Sequence, residues 1–132
     1  MDLIILENKY SVYKFNVGSV LPDWIYASEF YSITRTPDEI SVVALQTEKI
    51  PENVHQNKNW RIIKVIGPLD FSMVGIIADL SSIFKRKNIS IFTVSTFETD
   101  YILVSQDDLN TAMLALVENG HTISVENKKA SE

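Results

Sequence analysis

The stretch from Trp60 to Ser105 constrains the fold most, because its hydrophobic period switches from strand to helix and back without a linker. Ile62, Ile63, Val65 and Ile66 form a short apolar run suited to a buried strand, which ends at Gly67-Pro68. From Leu69 the period changes. Leu69, Met73, Ile76, Ile77, Leu80, Ile83 and Phe84 recur at spacings of three and four, one apolar stripe of a helix, with Asp79, Ser81, Ser82, Lys85 and Arg86 facing water. Lys85, Arg86 and Lys87 fall in the last turn, where the helix dipole favours cations, and Asn88 suits a left-handed cap. Ser90 to Phe97 is rich in β-branched and aromatic residues, Glu98-Thr99-Asp100 reads as a turn, and Tyr101 to Val104 resumes the apolar run, so a β-hairpin is predicted. Ser105 with Asp108 has the spacing of a capping box and opens a second helix, buried along Leu109, Ala112, Met113, Leu116 and Val117 and stopped by Gly120. Thr122 to Val125 closes as a strand. The order β-α-β-β-α-β predicts an α+β, ferredoxin-like unit with two helices on one face of a four-stranded antiparallel sheet.

Composition sets the limits. The chain has 132 residues, 45% of them hydrophobic and 22% charged, enough for one compact core or two small fused ones. The longest apolar run is far short of the roughly 20 residues a bilayer requires, and the first fifteen residues alternate rather than forming a signal sequence, so a soluble cytoplasmic protein away from the membrane is expected. There is no cysteine, hence no disulfide, thiolate nucleophile or thiolate metal site. The net charge of −5 comes with scattered lysines and arginines, which lack the basic stripe that nucleic acid demands.

The N-terminal half reads as a worn copy of the same unit. Tyr10, Val12, Lys14 and Phe15 parallel Trp60, Ile62, Lys64 and Val65 at an offset of 50, and Thr34, Asp38, Ile40 and Val42 parallel Thr96, Asp100, Ile102 and Val104 at an offset of 62. The shortfall of 12 residues lies in the first helix, reduced to a short one around Pro22 to Ser28. After the turn Thr36-Pro37-Asp38-Glu39, the polar stretch Gln46 to Asn59 replaces the second helix and reads as a linker. The expected division is residues 1–58 as a degenerate subdomain with its linker, 59–127 as the complete one, and 128–132 as a disordered tail.

Phe30-Tyr31-Ser32-Ile33-Thr34-Arg35-Thr36 with Asp38-Glu39-Ile40-Ser41-Val42-Val43, then Gly67-Pro68-Leu69-Asp70-Phe71-Ser72, Ser90-Ile91-Phe92, Ser95-Thr96 and Thr99 to Val104, occur in one order along the chain. That series resembles the ACT family of regulatory amino-acid-binding domains, and within it the short bacterial tandem-ACT proteins related to the cytosolic arginine sensor of animal cells. Lys85-Arg86-Lys87 and the Gln46 to Asn59 stretch match none of the family's motifs. The resemblance implies two fused subdomains, homodimerisation, a downstream protein partner of unknown identity, and a ligand near the strand-to-helix loop and the facing hairpin. It singles out Leu69, Asp70, Phe71, Ser95, Thr96 and Asp100.

Physical chemistry supports such a site. A turn leading into a helix N-terminus presents unpaired N–H groups to a carboxylate, and Gly67 permits close approach of a ligand to the backbone. Asp70 or Asp100 can receive an α-ammonium group, and Ser95, Thr96 and Thr99 can add hydroxyls. Equally, Asp70 can serve as a helix cap and Asp100 as a turn stabiliser. His55 and His121 have no partner at a metal-ligand spacing, so no metal or other cofactor is expected. Asp107-Asp108 reads as first-turn acids, Arg35 as a surface ion pair with Asp38 or Glu39, and Trp24 and Trp60 as core or interface aromatics. The sequence therefore points to a non-catalytic binding protein. The alternatives are an interaction module with a filled pocket and a small enzyme using Asp70 and Asp100 as acid and base.

Overall fold

The computed structural model describes residues 1–51, 54–67 and 75–127. In chain order the elements are β1 (Asp2–Ile5), β2 (Tyr10–Phe15), α1 (Asp23–Ala27), β3 (Ser32–Arg35), β4 (Ile40–Leu45), β5 (His55–Val65), α2 (Ile76–Arg86), β6 (Ile91–Ser95), β7 (Asp100–Ser105), a 3-10 turn (Gln106–Asp108), α3 (Leu109–Glu118) and β8 (Thr122–Val125). They group into two compact units, residues 8–60 and residues 1–7 with 61–132. The first seven residues thus join the C-terminal half, not the N-terminal half to which the sequence reading gave them.

In the N-terminal unit the strands lie in the order β3-β4-β2-β5, every pair antiparallel. Alternation along β2 and β4 sends Tyr13, Phe15, Ile40, Val42 and Ala44 to one face, where they pack with Ile25 of α1. Trp24 meets the Tyr13 ring edge-on at 5.1 Å. The Tyr13 hydroxyl donates to the Leu45 carbonyl at 2.8 Å and accepts the Thr47 N–H at 3.2 Å. Burial pushes its pKa up, since the phenolate would lose water there. A polar handle therefore sits inside an otherwise apolar core without an unpaired oxygen.

The stretch Gln46 to Asn59 is only partly a linker, because β5 begins at His55. His55, Gln56 and Asn57 stand opposite Lys14, Tyr13 and Val12. Their polarity hid the strand: these residues gain from ladder hydrogen bonds with β2 and bury little. Between Asn57 and Trp60 the register shifts opposite β2, and Asn59 takes a left-handed conformation (φ 69°) with its N–H on Gln46 Oε1 at 2.7 Å. This is a β-bulge, with asparagine at the position whose positive φ it tolerates better than most residues.

In the C-terminal unit the order is β6-β7-β5-β1-β8. With β1 set aside, the strands numbered within each unit run second-third-first-fourth in both, which is the ferredoxin-like arrangement. The sheet predicted to have four antiparallel strands has a fifth, because β1 inserts between β5 and β8. It runs antiparallel to β5 (Leu3↔Val65, Ile5↔Ile63) and parallel to β8 (Leu3↔Ile123, Ile5↔Val125). Leu3 and Ile5 enter a core with Ile63, Val65, Phe84 of α2, Ile102, Val104 and Leu116 of α3. The described helix α2 opens at Ile76 after Gly75 (φ 82°), whose carbonyl accepts the Asp79 N–H at 2.7 Å. At the other end Asn88 is left-handed (φ 58°), as its position after the basic triplet predicted. Arg86 donates to Ser82 and Asn119, and Lys87 pairs with Glu118 at 3.9 Å, so the triplet trims helix ends.

Because Leu3 is 1% exposed, Leu3→Ala is expected to cost about 2–5 kcal/mol, read as a lower urea midpoint at an unchanged m-value. A loss below about 1 kcal/mol would show that β1 is dispensable to this core.

Candidate functional site

The hairpin between β6 and β7 turns through Thr96 to Thr99. The Thr96 N–H donates to the Thr99 carbonyl at 2.8 Å, and the Thr96 hydroxyl donates to the same carbonyl at 3.1 Å. Thr96 Oγ1 also lies 3.3 Å from the Thr99 nitrogen. A threonine at the first position thus satisfies the turn's own backbone, the reason for its presence there. Immediately beyond, Ser95 and Asp100 face each other across the strands, and the Ser95 hydroxyl donates to Asp100 Oδ1 at 2.6 Å.

Thr99 has a different task. It is 4% exposed, and its hydroxyl donates to the Val65 carbonyl at 2.5 Å. Val65 is the last residue of β5, two before Gly67. One side-chain bond therefore fixes the hairpin turn to the point where β5 hands over to the exposed Gly67. Among the predicted site residues, the structure brings together Ser95, Thr96, Thr99 and Asp100 on the hairpin, and this bond ties them to Val65, two residues before Gly67. Leu69, Asp70 and Phe71 lie outside the described residues, so the cap and ligand roles weighed for Asp70 lie there too. The helix N-terminus expected to begin at Leu69 is described only from Gly75, without a side-chain cap.

Chemically, the described part offers acceptors. Asp100 is half-buried, and Ser95 holds one of its carboxylate oxygens. A carboxylate oriented by a neighbouring hydroxyl is a suitable partner for an ammonium group. Lys64 and Tyr101 were not singled out from the sequence. Lys64 Nζ lies 5.9 Å from the Tyr101 ring centroid, a cation–π contact beside the same strand end. The readable signal was the alternation along β5, which puts Lys64 on the opposite face from Ile63 and Val65.

The remaining candidates are placed elsewhere. His121 precedes β8 with Nδ1 3.1 Å from the Met1 amino group, and burial and then that charge lower its pKa. Asp107 sits in the 3-10 turn, its N–H on the Ser105 hydroxyl at 3.3 Å. Arg35, predicted to pair with Asp38 or Glu39, is in no ion pair among the described residues; the Thr36 hydroxyl takes the N–H groups of both acids instead.

The two units, each with second-third-first-fourth strand order once β1 is set aside and one with its hairpin turn bonded to the end of β5, define a ferredoxin-like class. Comparison with known proteins narrows this. A family model described as an ACT domain matches residues 56–118, and a second model, for an N-terminal domain, matches residues 8–53. The crystal structure of protein Atu0741 from Agobacterium tumefaciens is 35% identical, with a TM-score of 0.86, covering 96% of this chain and 93% of that one. The human protein CASTOR3P is 29% identical over 93 residues, 61% of this chain, and the match spans only 57% of that protein's length. A C-terminal regulatory domain of aspartate kinase from Porphyromonas gingivalis shares the fold at 18% identity and a TM-score of 0.58, over 88% of this chain and 94% of that one. The chain therefore carries an ACT domain over residues 56–118, in its C-terminal unit.

Replacing Thr99 by valine keeps the shape and strips the Val65 carbonyl of its partner, at an expected cost of about 1–3 kcal/mol in urea denaturation. Thr99→Ser should restore most of it. Equal stability of the valine and serine variants would remove the clamp from this account.

Proposed function

We propose that this protein is a non-catalytic cytoplasmic sensor that binds a small amino acid in its C-terminal unit, homodimerises, and signals through contacts with another protein. The ligand sits between the turn after β5 and the hairpin turn. Gly67, Leu69, Asp70 and Phe71 contribute from the first, and Ser95, Thr96 and Asp100 from the second. Thr99 acts through position, since its hydroxyl is already committed to Val65.

The observation that supports this reading is that 2.5 Å bond, which ties the hairpin bearing Ser95 and Asp100 to the Val65 carbonyl at the end of β5. Preorganised acceptors spare the ligand the cost of ordering them. An α-ammonium on Asp100 and an α-carboxylate on backbone N–H groups of the turn satisfy both ends of an amino acid. Dimerisation has its own support, in that β6 and β8 each pair with a single strand among the described residues and so offer a sheet edge to another copy.

A thermal-shift screen against the twenty amino acids and common nucleotides tests the proposal. A ligand at about a hundred times its dissociation constant should add about 2.7 kcal/mol of stability. The shift should arise with one or a few amino acids and vanish in Asp100→Ala, whose own unfolding should remain cooperative. No shift with any amino acid at millimolar concentration, or a shift with nucleotides alone, would reject it.

A further inference from the structure

The two units share a turn, and aligning on it exposes a difference between them. Thr36 and Glu39 repeat the bonds of Thr96 and Thr99: the Thr36 N–H donates to the Glu39 carbonyl at 2.9 Å, and Thr36 Oγ1 lies 3.1 Å from the Glu39 nitrogen. The offset between the turns is thus 60 residues, not the 62 that sequence matching suggests. With β2 matching the end of β5 at an offset of 50, Lys14 corresponds to Lys64, and Ser41 to Tyr101. In the C-terminal unit the aromatic ring of Tyr101 lies against Lys64. In the N-terminal unit Lys14 stands directly opposite Ser41, which is too small to cover it.

The space left is a cleft of about 260 Å³ in the N-terminal unit, lined in part by Val12, Lys14, Glu39, Ser41, His55 and Asn57. Strand pairing assembles it. Lys14 sits between Ser41 on β4 and His55 on β5, and Glu39 precedes Ser41 by two residues, so it shares that face. Neither Lys14 nor Glu39 is in an ion pair among the described residues. One ammonium and one carboxylate thus line the same open hollow without pairing with each other, with a hydroxyl, an imidazole and an amide alongside. The volume falls below the roughly 300–1,000 Å³ of sites for drug-sized ligands.

We propose that this cleft is a second binding site, for a small zwitterion carrying a carboxylate and an ammonium group. The carboxylate rests on Lys14 with His55 and Ser41 as further donors, and the ammonium on Glu39. A ligand of this kind engages both unpaired side chains at once. The site is separate in its residues from the one proposed in the C-terminal unit, so either can be present without the other.

The test is a ¹H–¹⁵N NMR titration of the full chain with glycine and L-alanine, the smallest zwitterions of this class, and with acetate and methylamine as single-charge controls. Either zwitterion should move the amides of Lys14, Ser41, His55 and Asn57. Lys14→Met and Glu39→Gln should each weaken that binding about tenfold or more, the scale of one charged hydrogen bond. Dispersed spectra establish that each variant is folded, and Glu39→Gln alone suffices if Lys14→Met is not. Shifts confined to residues 95–100 would support only the site in the C-terminal unit and overturn this one. So would acetate matching glycine with Glu39→Gln without effect, or no shift at any of the four amides.

Discussion

Strand β5 has to pair with strands of both units along eleven residues, and the rest of the structure depends on how it does so. Its first part pairs with β2, and its last part with β1 and β7. The two parts are held by different forces. His55 to Asn59 are polar and contribute ladder hydrogen bonds, whereas Ile62, Ile63 and Val65 are fully buried, each worth about 1.5–3 kcal/mol by removal of apolar surface from water. The bulge at Asn59 separates them. An extra residue there resets the side-chain alternation, so each part can follow the pleat its own neighbours require.

The hairpin turns show a duplicated device put to two uses. In both units a threonine opens the turn and closes it through its hydroxyl. In one copy the last turn residue is Thr99, which reaches across to the strand backbone, and the next outward residue is Tyr101, which packs on a lysine. In the other these positions hold Glu39 and Ser41, and the same geometry leaves charged groups facing a hollow. Conservation of the backbone device alongside exchange of the outward side chains is the way a binding surface changes while a fold does not.

Much of this was legible from residue patterns. The helices α2 and α3 follow three- and four-residue spacing, Asn88 and Gly120 end them, and both hairpins are announced by their turns, though the second turn is Thr96 to Thr99 where Glu98 to Asp100 was expected. What escaped had physical reasons. Asp2–Ile5 is only four residues long, and its pairing is with segments some 60 and 120 positions away, which no local period encodes. His55 to Asn59 were hidden because polar residues in a strand mimic a loop. At the site, Ser95, Thr96 and Asp100 were identifiable as polar residues flanking a turn, but Thr99's inward role required knowing that Val65 ends beside it. Lys64 and Lys14 looked like ordinary outward lysines, and the difference between them lies across the sheet, in a tyrosine and a serine.

The position of β1 has a consequence for how the chain matures during synthesis. Residues 8–60 have all their sheet partners within about 50 positions and can close as soon as that length leaves the ribosome. The first strand leaves earlier still, yet must wait unpaired for β5 and then for β8, more than a hundred residues later. The segment carrying Leu3 and Ile5 is therefore an apolar stretch that stays exposed until partners about 60 and 120 positions later emerge, the interval in which such a chain is most open to chaperones and to mispairing.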